Sequence, residues 1–515
     1  MATRTPPAWV ADAVFYQIFP DRFARSERVV APGPYEEWEA PPTRHGFKGG
    51  DLRGVAEHLD HLAELGVNAI YLNPIFSSAS NHRYHTFDYM TVDPLLGGDD
   101  AFRELLDAAH ARGMRIILDG VFNHASRGFW PFHHVLETGR HSPYRDWFYF
   151  NTDALASGRQ LRAYADESLR DALETEWGDA HAAGIESLET LGYRAWWDLP
   201  ALPKLNTDNP IVREYLFGVA EHWIRFGADG WRLDVAGEIE DPEFWREFRR
   251  RVHAVNPEAY IVAEIWREHP EVLEGDRFDT LMNYPLAEAI VSFIGAGRLN
   301  LDVVGQHSEL ARNIRPDDAP AFAARLRRAL TVYRPETTHA MLNMLDSHDT
   351  PRLLTMAGGD RSTVMLGWLT VLTLPGAPCI YYGDEIGLPG EMDPDCRRAF
   401  PWDRTAWDEA LFSWFKTLIA LRHAEPVLRH GATRVVVAEG MAIAYERADA
   451  RGAMLVALNA GDEAVSLAVP LDDHDGRLVE PIPLPDGVAA APAPVIGGVA
   501  TLRLPARSGL LARIS

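Results

Sequence analysis

The sequence predicts an α/β fold: a closed (β/α)8 TIM barrel, with a segment inserted after the third strand and an antiparallel β-sandwich domain at the C-terminal end. Three observations predict it. Short apolar runs alternate with stretches of helical period from about Val14 to about residue 425, which implies a parallel sheet, and eight such runs favour closure over an open doubly wound sheet. Three of the runs end in carboxylates, at Asp234, Glu264 and Asp349. Beyond Pro426 the helical period gives way to alternation between Gly, Asp and Pro breaks, the mark of an antiparallel sheet.

In order, the first strand is Val14 to Phe19, closed by Pro20, and Leu52, Val55, Leu59 and Leu62 mark a helix that stops at Gly66. Ala69 to Leu72 is the second strand. Phe102, Leu105, Leu106 and Ala109 mark the next helix, ended at Gly113, and Arg115 to Asp119 is the third strand. From Ala125 to Pro203 no period is sustained, so this stretch is taken as the insertion (residues 125–203), dividing the barrel into residues 1–124 and 204–425. Asn209-Pro210 then starts a helix, with Asn as cap and Pro at the first position, and Val212, Leu216, Val219 and Trp223 form its apolar face. Later strands are expected at Gly230 to Asp234, Tyr260 to Ala263, Thr280 to Met282, His339 to Leu345 and Cys379 to Tyr382, and the β domain at residues 426–515.

A chain of 515 residues is too long for one core. Its net charge of -24 repels phosphate backbones, so nucleic acid is an unfavourable partner, whereas a neutral sugar polymer meets no such penalty. The two cysteines, Cys379 and Cys396, supply no disulfide framework, and the N-terminus lacks the apolar stretch of a secretory signal, so a cytoplasmic location is expected. The uncharged run from Thr363 to Gly383 is long enough to span a bilayer, but Pro375, Gly376 and Pro378 divide it into a helix and a strand. No membrane association is expected.

Acids at the ends of different barrel strands converge on one mouth. That arrangement suits glycoside chemistry, in which one carboxylate attacks the anomeric carbon and another carboxylic acid protonates the leaving oxygen. Period-2 alternation sends Trp231 and Leu233 one way and Arg232 and Asp234 the other, into that space. Asp119-Gly-Val-Phe-Asn-His124, Gly230-Trp-Arg-Leu-Asp234, Ala263-Glu-Ile-Trp266 and Leu345-Asp-Ser-His-Asp349 resemble, in order, the four motif regions of the α-amylase superfamily, glycoside hydrolase family 13. Leu202-Pro-Lys-Leu-Asn206 and Trp231 further resemble its neopullulanase, cyclomaltodextrinase and maltogenic amylase group.

The resemblance implies Asp234 as nucleophile, Glu264 as general acid/base and Asp349 as the acid that orients the sugar. Around them it implies substrate contacts from Tyr84, Asp119, His124, Arg232, Glu238, Trp266, His348, Asp393 and Arg397. Tyr84 would stack under the scissile sugar, Trp266 would offer an indole face to a glucose ring, and Arg232 would hold Asp234 ionised. Trp196 and Trp197 are either cleft-wall stackers or core of the insertion. The implied activity is a retaining hydrolase of α-1,4 bonds in malto-oligosaccharides, cyclodextrins and soluble starch, giving maltose with some transglycosylation. An α-glucosidase or a glucosyltransferase is the alternative, and a non-catalytic amylase-like subunit a remote one.

Relatives bind calcium through oxygen-rich loops, but the loop after the first strand, Asp21 to Val30, has few hard oxygen ligands, leaving Gly50, Asp51 and Asn123 as residual candidates. Lys204 stands where calcium-binding amylases carry Asp, so no tightly bound metal or other cofactor is expected. The first strand begins near Val14, leaving no room for the N-terminal β domain with which the group walls a partner's cleft. A monomer, or a dimer built through a different surface, with a cleft more open to long chains is therefore expected; the competing view is that the segment Arg25 to Phe47, with Tyr35 and Trp38, folds back as a substitute wall.

Overall fold

The structure is a computed structural model, which describes residues 5–30, 32–158, 160–164, 187–487 and 490–515. Eight parallel strands follow one another round a ring: β1 (Phe15–Ile18), β2 (Ala69–Leu72), β3 (Arg115–Gly120), β4 (Gly230–Leu233), β5 (Tyr260–Ala263), β6 (Thr280–Leu281), β7 (Leu342–Asn343) and β8 (Ala377–Tyr381). β8 returns to β1 with Phe15 opposite Cys379, and a parallel bridge between Met282 and Leu342 closes the ring.

Both faces of the barrel strands are buried, which is why they read as continuous apolar runs. Phe15, Tyr71, Ile117, Val262, Leu342 and Cys379 pack inside the ring. Their neighbours Tyr16, Ile70, Leu118, Trp231, Ile261 and Ile380 pack outward against the helices. The 3-10 turn Ala8–Asp12 plugs the floor: Val10 joins the inner cluster, and the indole N–H of Trp9 donates to Glu258 O at 2.9 Å. The mouth at the other end is where inward positions turn polar, at Gln17, Asp119, Arg232 and Asp234.

Local chemistry explains the elements that differ from expectation. The helix expected from Leu52 is two, Leu52–Glu57 and Leu59–Leu65, because His58 leaves the helical region (φ -110°, ψ 13°). The strand expected from His339 shrinks to β7, since His339 caps the helix Pro335–Thr338 with helical dihedrals. Asn209 caps the helix Pro210–Phe226 by accepting from Ile211 N at 2.9 Å. A hairpin, Phe76–Ser78 with Thr86–Val92, follows β2 and carries the loop that holds Tyr84. The stretch Thr363 to Gly383 is most of the helix Arg361–Thr373 followed by β8, and among the described residues no helix is long and apolar enough to cross a membrane.

The insertion holds a helix, Trp130–Thr138, that its aromatic sequence concealed. Phe132 packs edge-on against Phe148 and Tyr193 at 4.9 Å each, and bridges from His124 to Lys204 and from Phe148 to Leu205 stitch the insertion to the barrel. Residues 165–186 of it lie outside the described residues. Residues 32–47 fold back over the barrel: Trp38 donates to Phe400 O at 2.9 Å, and the Asn81 amide donates to Arg44 O and Gly46 O beside the Tyr84 loop.

The C-terminal strands are β9 (Ala432–Glu439), β10 (Ala442–Asp449), β11 (Gly452–Asn459), β12 (Val465–Pro470), β13 (Leu478–Pro481), β14 (Ala493–Pro494), β15 (Val499–Leu504) and β16 (Ser508–Ile514). Six form one sheet, in the order β9-β10-β11-β16-β13-β14, and β12 pairs with β15. Alternation divides the six-stranded sheet cleanly. Ala444, Leu455, Ala457 and Leu510 face β12 and β15, whereas Tyr445, Met454, Val456, Leu458 and Leu511 face the barrel.

Candidate active site

Asp234 and Glu264 are the first residues beyond β4 and β5, and the ladder still holds them: Asp234 N donates to Gly120 O at 3.1 Å and Glu264 N to Leu233 O at 3.0 Å. Arg232, two residues before Asp234, is fully buried and reaches upward between three carboxylates. Its Nη1 donates to Asp119 Oδ1 at 2.9 Å and to Asp234 Oδ1 at 3.0 Å, and its Nη2 lies 2.9 Å from Glu264 Oε2. Glu264 also accepts from Val235 N at 2.8 Å on Oε2 and from Trp266 Nε1 at 3.0 Å on Oε1.

Across the mouth, the loop after β7 carries His348 and Asp349. Arg397 organises this side. Its Nε donates to His348 O at 2.8 Å, its Nη2 lies 3.4 Å from Asp349 Oδ1, and its Nη1 lies 3.0 Å from Asp393 Oδ1. Tyr84 joins the two sides by donating to Asp119 Oδ2 at 2.8 Å while its oxygen meets His348 Nε2 at 2.6 Å, with the two rings parallel. Gln17 fixes the His348 tautomer: its amide N–H donates to Nδ1 at 2.8 Å, which leaves the ring proton on Nε2.

Burial dominates the electrostatics. It pushes the Asp234 carboxyl well above the usual range; Arg232 draws it down, and Glu264 and Asp119 raise it again. Arg232 thus acts in the direction expected of it, favouring the ionised Asp234 against burial and the two neighbouring acids. Asp349 is raised to about 7, first by burial and then by Glu264, against Arg397 and Arg232. Burial lowers His124 to about 3 and His348 well below its ordinary range, so both rings are neutral.

Two expected roles change. Asp119 is buried, and Arg232, Tyr71 and Tyr84 occupy its oxygens, so it anchors the site from below instead of touching a sugar. Trp266 has Tyr284 stacked on it at 3.7 Å and His307 at 4.8 Å, both rings nearly parallel to it. Rings at those distances cannot share one face of an indole without colliding, so both faces are covered and Trp266 serves through its N–H to Glu264. His124 stacks on Trp196 at 4.9 Å, and Trp196 on Trp197 at 4.8 Å. Trp197 is 47% exposed, which makes this pair wall and not core. Glu238 stands at the rim, its side chain half exposed and its Oε2 3.7 Å from Lys204 Nζ.

Gln17, Tyr71, Asn73, Tyr284 and His307 also belong to the site and were missed. Gln17 and Tyr71 carried a signal, since each is a polar group two residues after an inward apolar position of its strand, Phe15 and Ala69. Tyr284 and His307 lie in helical and loop segments without strand register, and nothing local marks them.

The candidate calcium donors are spent on the protein itself. Asp51 caps a helix, accepting from Gly54 N and Ser26 N at 2.8 Å each, and Lys204 Nζ donates to Asn123 Oδ1 at 2.7 Å. An ammonium on Asn123 disfavours a cation there. Among the described residues no group of three or more His, Cys, Asp or Glu side chains could hold a metal.

Comparison with known proteins agrees with this geometry. Residues 17–416 match the family model of the alpha amylase catalytic domain. The chain is 44% identical over 458 residues to a cyclomaltodextrinase from Bacillus sp., covering 88% of this chain and 74% of that one. It is 42% identical over 443 residues to neopullulanase 2 from Thermoactinomyces vulgaris, covering 86% and 68%. The native form of the Nostoc punctiforme debranching enzyme superposes with a TM-score of 0.85 at 44% identity, over 99% of each chain. With its carboxylate-lined barrel mouth and matches of this extent, the chain belongs to the α-amylase family and is a glycoside hydrolase.

Proposed function

We propose that the enzyme is a retaining hydrolase of α-1,4-glucosidic bonds in malto-oligosaccharides, cyclodextrins and soluble starch, releasing maltose and transferring some glycosyl units to sugar acceptors. The observation that carries this reading is the Arg232 guanidinium shared by Asp234 and Glu264, which sets both carboxyl groups at one mouth facing Asp349. Asp234 Oδ2 is buried and takes no hydrogen bond from the protein, so it is the oxygen free to attack the anomeric carbon. Glu264 then protonates the departing oxygen and later activates water or an acceptor hydroxyl for the second displacement. Asp349, raised to about 7, supplies a carboxyl that can hold a proton toward sugar hydroxyls, the more so once substrate displaces water around it. Tyr84, with its ring parallel to His348, offers an apolar face beneath the sugar.

The same reading includes no tightly bound calcium, a monomeric state and a cytoplasmic location. The donor set above supports the first, and the buried free thiols Cys379 and Cys396 are compatible with the last. Chromatography of the products from maltotriose, β-cyclodextrin, pullulan and starch tests the activity. Maltose from maltotriose, starch and cyclodextrin is expected, and glucose alone released from non-reducing ends would overturn the reading. Likeness to the Nostoc debranching enzyme over 99% of both chains favours a second reading, cleavage of α-1,6 branch bonds. Pullulan distinguishes the two, because cutting its α-1,6 bonds yields maltotriose and cutting its α-1,4 bonds yields panose or isopanose.

A further inference from the structure

Val235, the residue after Asp234, has φ 37° and ψ 46°. It is the one β-branched residue among the described non-glycine residues of positive φ. Branching at Cβ makes the left-handed region especially unfavourable, and such strain persists only where the surroundings enforce it. Here both backbone groups of the strained residue are committed to functional neighbours. Its N–H donates to Glu264 Oε2 at 2.8 Å, and its C=O accepts from Glu238 N at 2.9 Å.

The ladder explains what this accomplishes. Leu233 pairs with Ala263 in parallel, and Glu264 N donates to Leu233 O. Were β4 to continue, the next bond would run from Val235 N to the backbone carbonyl of Glu264. Instead the Glu264 side chain takes that donor, and the left-handed turn at Val235 leads the chain directly into the 3-10 turn Ala236–Glu238. The nucleophile's strand thereby grips the acid/base side chain one bond away from the nucleophile itself.

We propose that the left-handed turn at Val235 is a positioning device for the reaction, locking the Glu264 carboxyl in register with Asp234. It rests on the reading of Asp234 as nucleophile and Glu264 as acid/base. The valine acts through its backbone: its side chain disfavours the left-handed turn, the two backbone hydrogen bonds hold it there, and a Cβ leaves the turn fewer conformations than glycine would.

Three proteins and two substrates test this. The native enzyme, Val235→Gly and Val235→Asn are compared on maltoheptaose, whose departing sugar needs a proton, and on α-maltosyl fluoride, whose departing fluoride does not. Glycine adopts the left-handed turn without strain but without stiffness, and asparagine tolerates it while keeping a side chain. Val235→Gly should melt no lower than the native enzyme and lose about tenfold in kcat on maltoheptaose, with KM within about twofold and first-turnover release of fluoride, measured before the maltosyl-enzyme is hydrolysed, within about twofold. Val235→Asn should retain most of the native kcat. An equal loss in first-turnover fluoride release, no loss in Val235→Gly, or a loss in Val235→Asn as large as that in Val235→Gly would each overturn the proposal. A native enzyme that turns over neither substrate would instead refute the reading on which it rests.

Discussion

Arg232 is surrounded by Asp119, Asp234 and Glu264, and it is the only cation bonded to Asp234 among the described residues. Arg232→Met should cost about 3–5 kcal/mol of stability, because it leaves buried carboxylates without their counter-charge, and denaturant titration measures that loss. Asp349 gives a prediction with a definite sign. Its folded-state value, about 7, lies above the unfolded value of 3.8. The folded protein therefore holds the proton more tightly, so this group's contribution is fully present below about pH 4 and is lost as pH rises to about 7. Asp349→Asn should consequently be more stable than the native enzyme above pH 7, by about 1–2 kcal/mol, with the advantage vanishing toward pH 4. Melting curves across that range check it; a constant difference would show that Asp349 does not titrate differently on folding. At this scale the sequence was informative for the charged residues. Alternation alone separates Arg232 and Asp234 from Trp231 and Leu233, but nothing in Trp266 reveals that Tyr284 and His307 cover it, because those rings arrive from segments distant in sequence.

The loops between elements decide what the site binds. Lys204 reaches from the end of the insertion to Asn123 Oδ1 and to Glu238 O, bonded at 2.7 Å and 2.9 Å, and so ties the loop after β3 to the turn after β4 with an ammonium. A chelator should accordingly leave both the melting temperature and the rate on maltotriose unchanged, whereas a fall in either on chelation, restored by calcium, would contradict the donor assignment. Lys204→Ala should lose about 1–3 kcal/mol by stranding the Asn123 acceptor in the interior. Element boundaries were legible where capping chemistry is local, as at Asn209-Pro210 and Gly66, which the structure uses as helix start and stop. They were not legible at β7, where only pairing with β8 and the bridge to Met282 define a strand two residues long, nor at the helix Trp130–Thr138, whose apolar face is aromatic and packs within the insertion.

At the scale of the molecule, the C-terminal sheet is apolar on both faces because one face closes its own sandwich and the other lies on the barrel. Arg447 of β10 reaches into the barrel side, donating to Leu428 O and Gly431 O at 2.7 Å each, and Tyr445 Oη meets Thr373 Oγ1 at 2.6 Å. A chain ending at residue 425 should therefore expose a large apolar patch and aggregate, and the whole protein should unfold in one transition seen alike by circular dichroism and tryptophan fluorescence. The short apolar run Ala453-Met-Leu-Val-Ala-Leu458, set between Gly and Asp breaks, is consistent with a β domain, but a run apolar at every position could not say which side meets the barrel. Residues 32–47 fold back beside the Tyr84 loop, and light scattering together with relative rates on β-cyclodextrin and starch measures whether the enzyme is a monomer open to long chains or whether this segment acts as a substitute wall. The role of Asp234 is tested most directly by trapping. Glu264→Gln, incubated with α-maltosyl fluoride, should accumulate a covalent maltosyl-enzyme, and peptide mass mapping should find the sugar on Asp234. An adduct on Asp349 or Asp119, or β-maltose formed with no adduct at all, would contradict it.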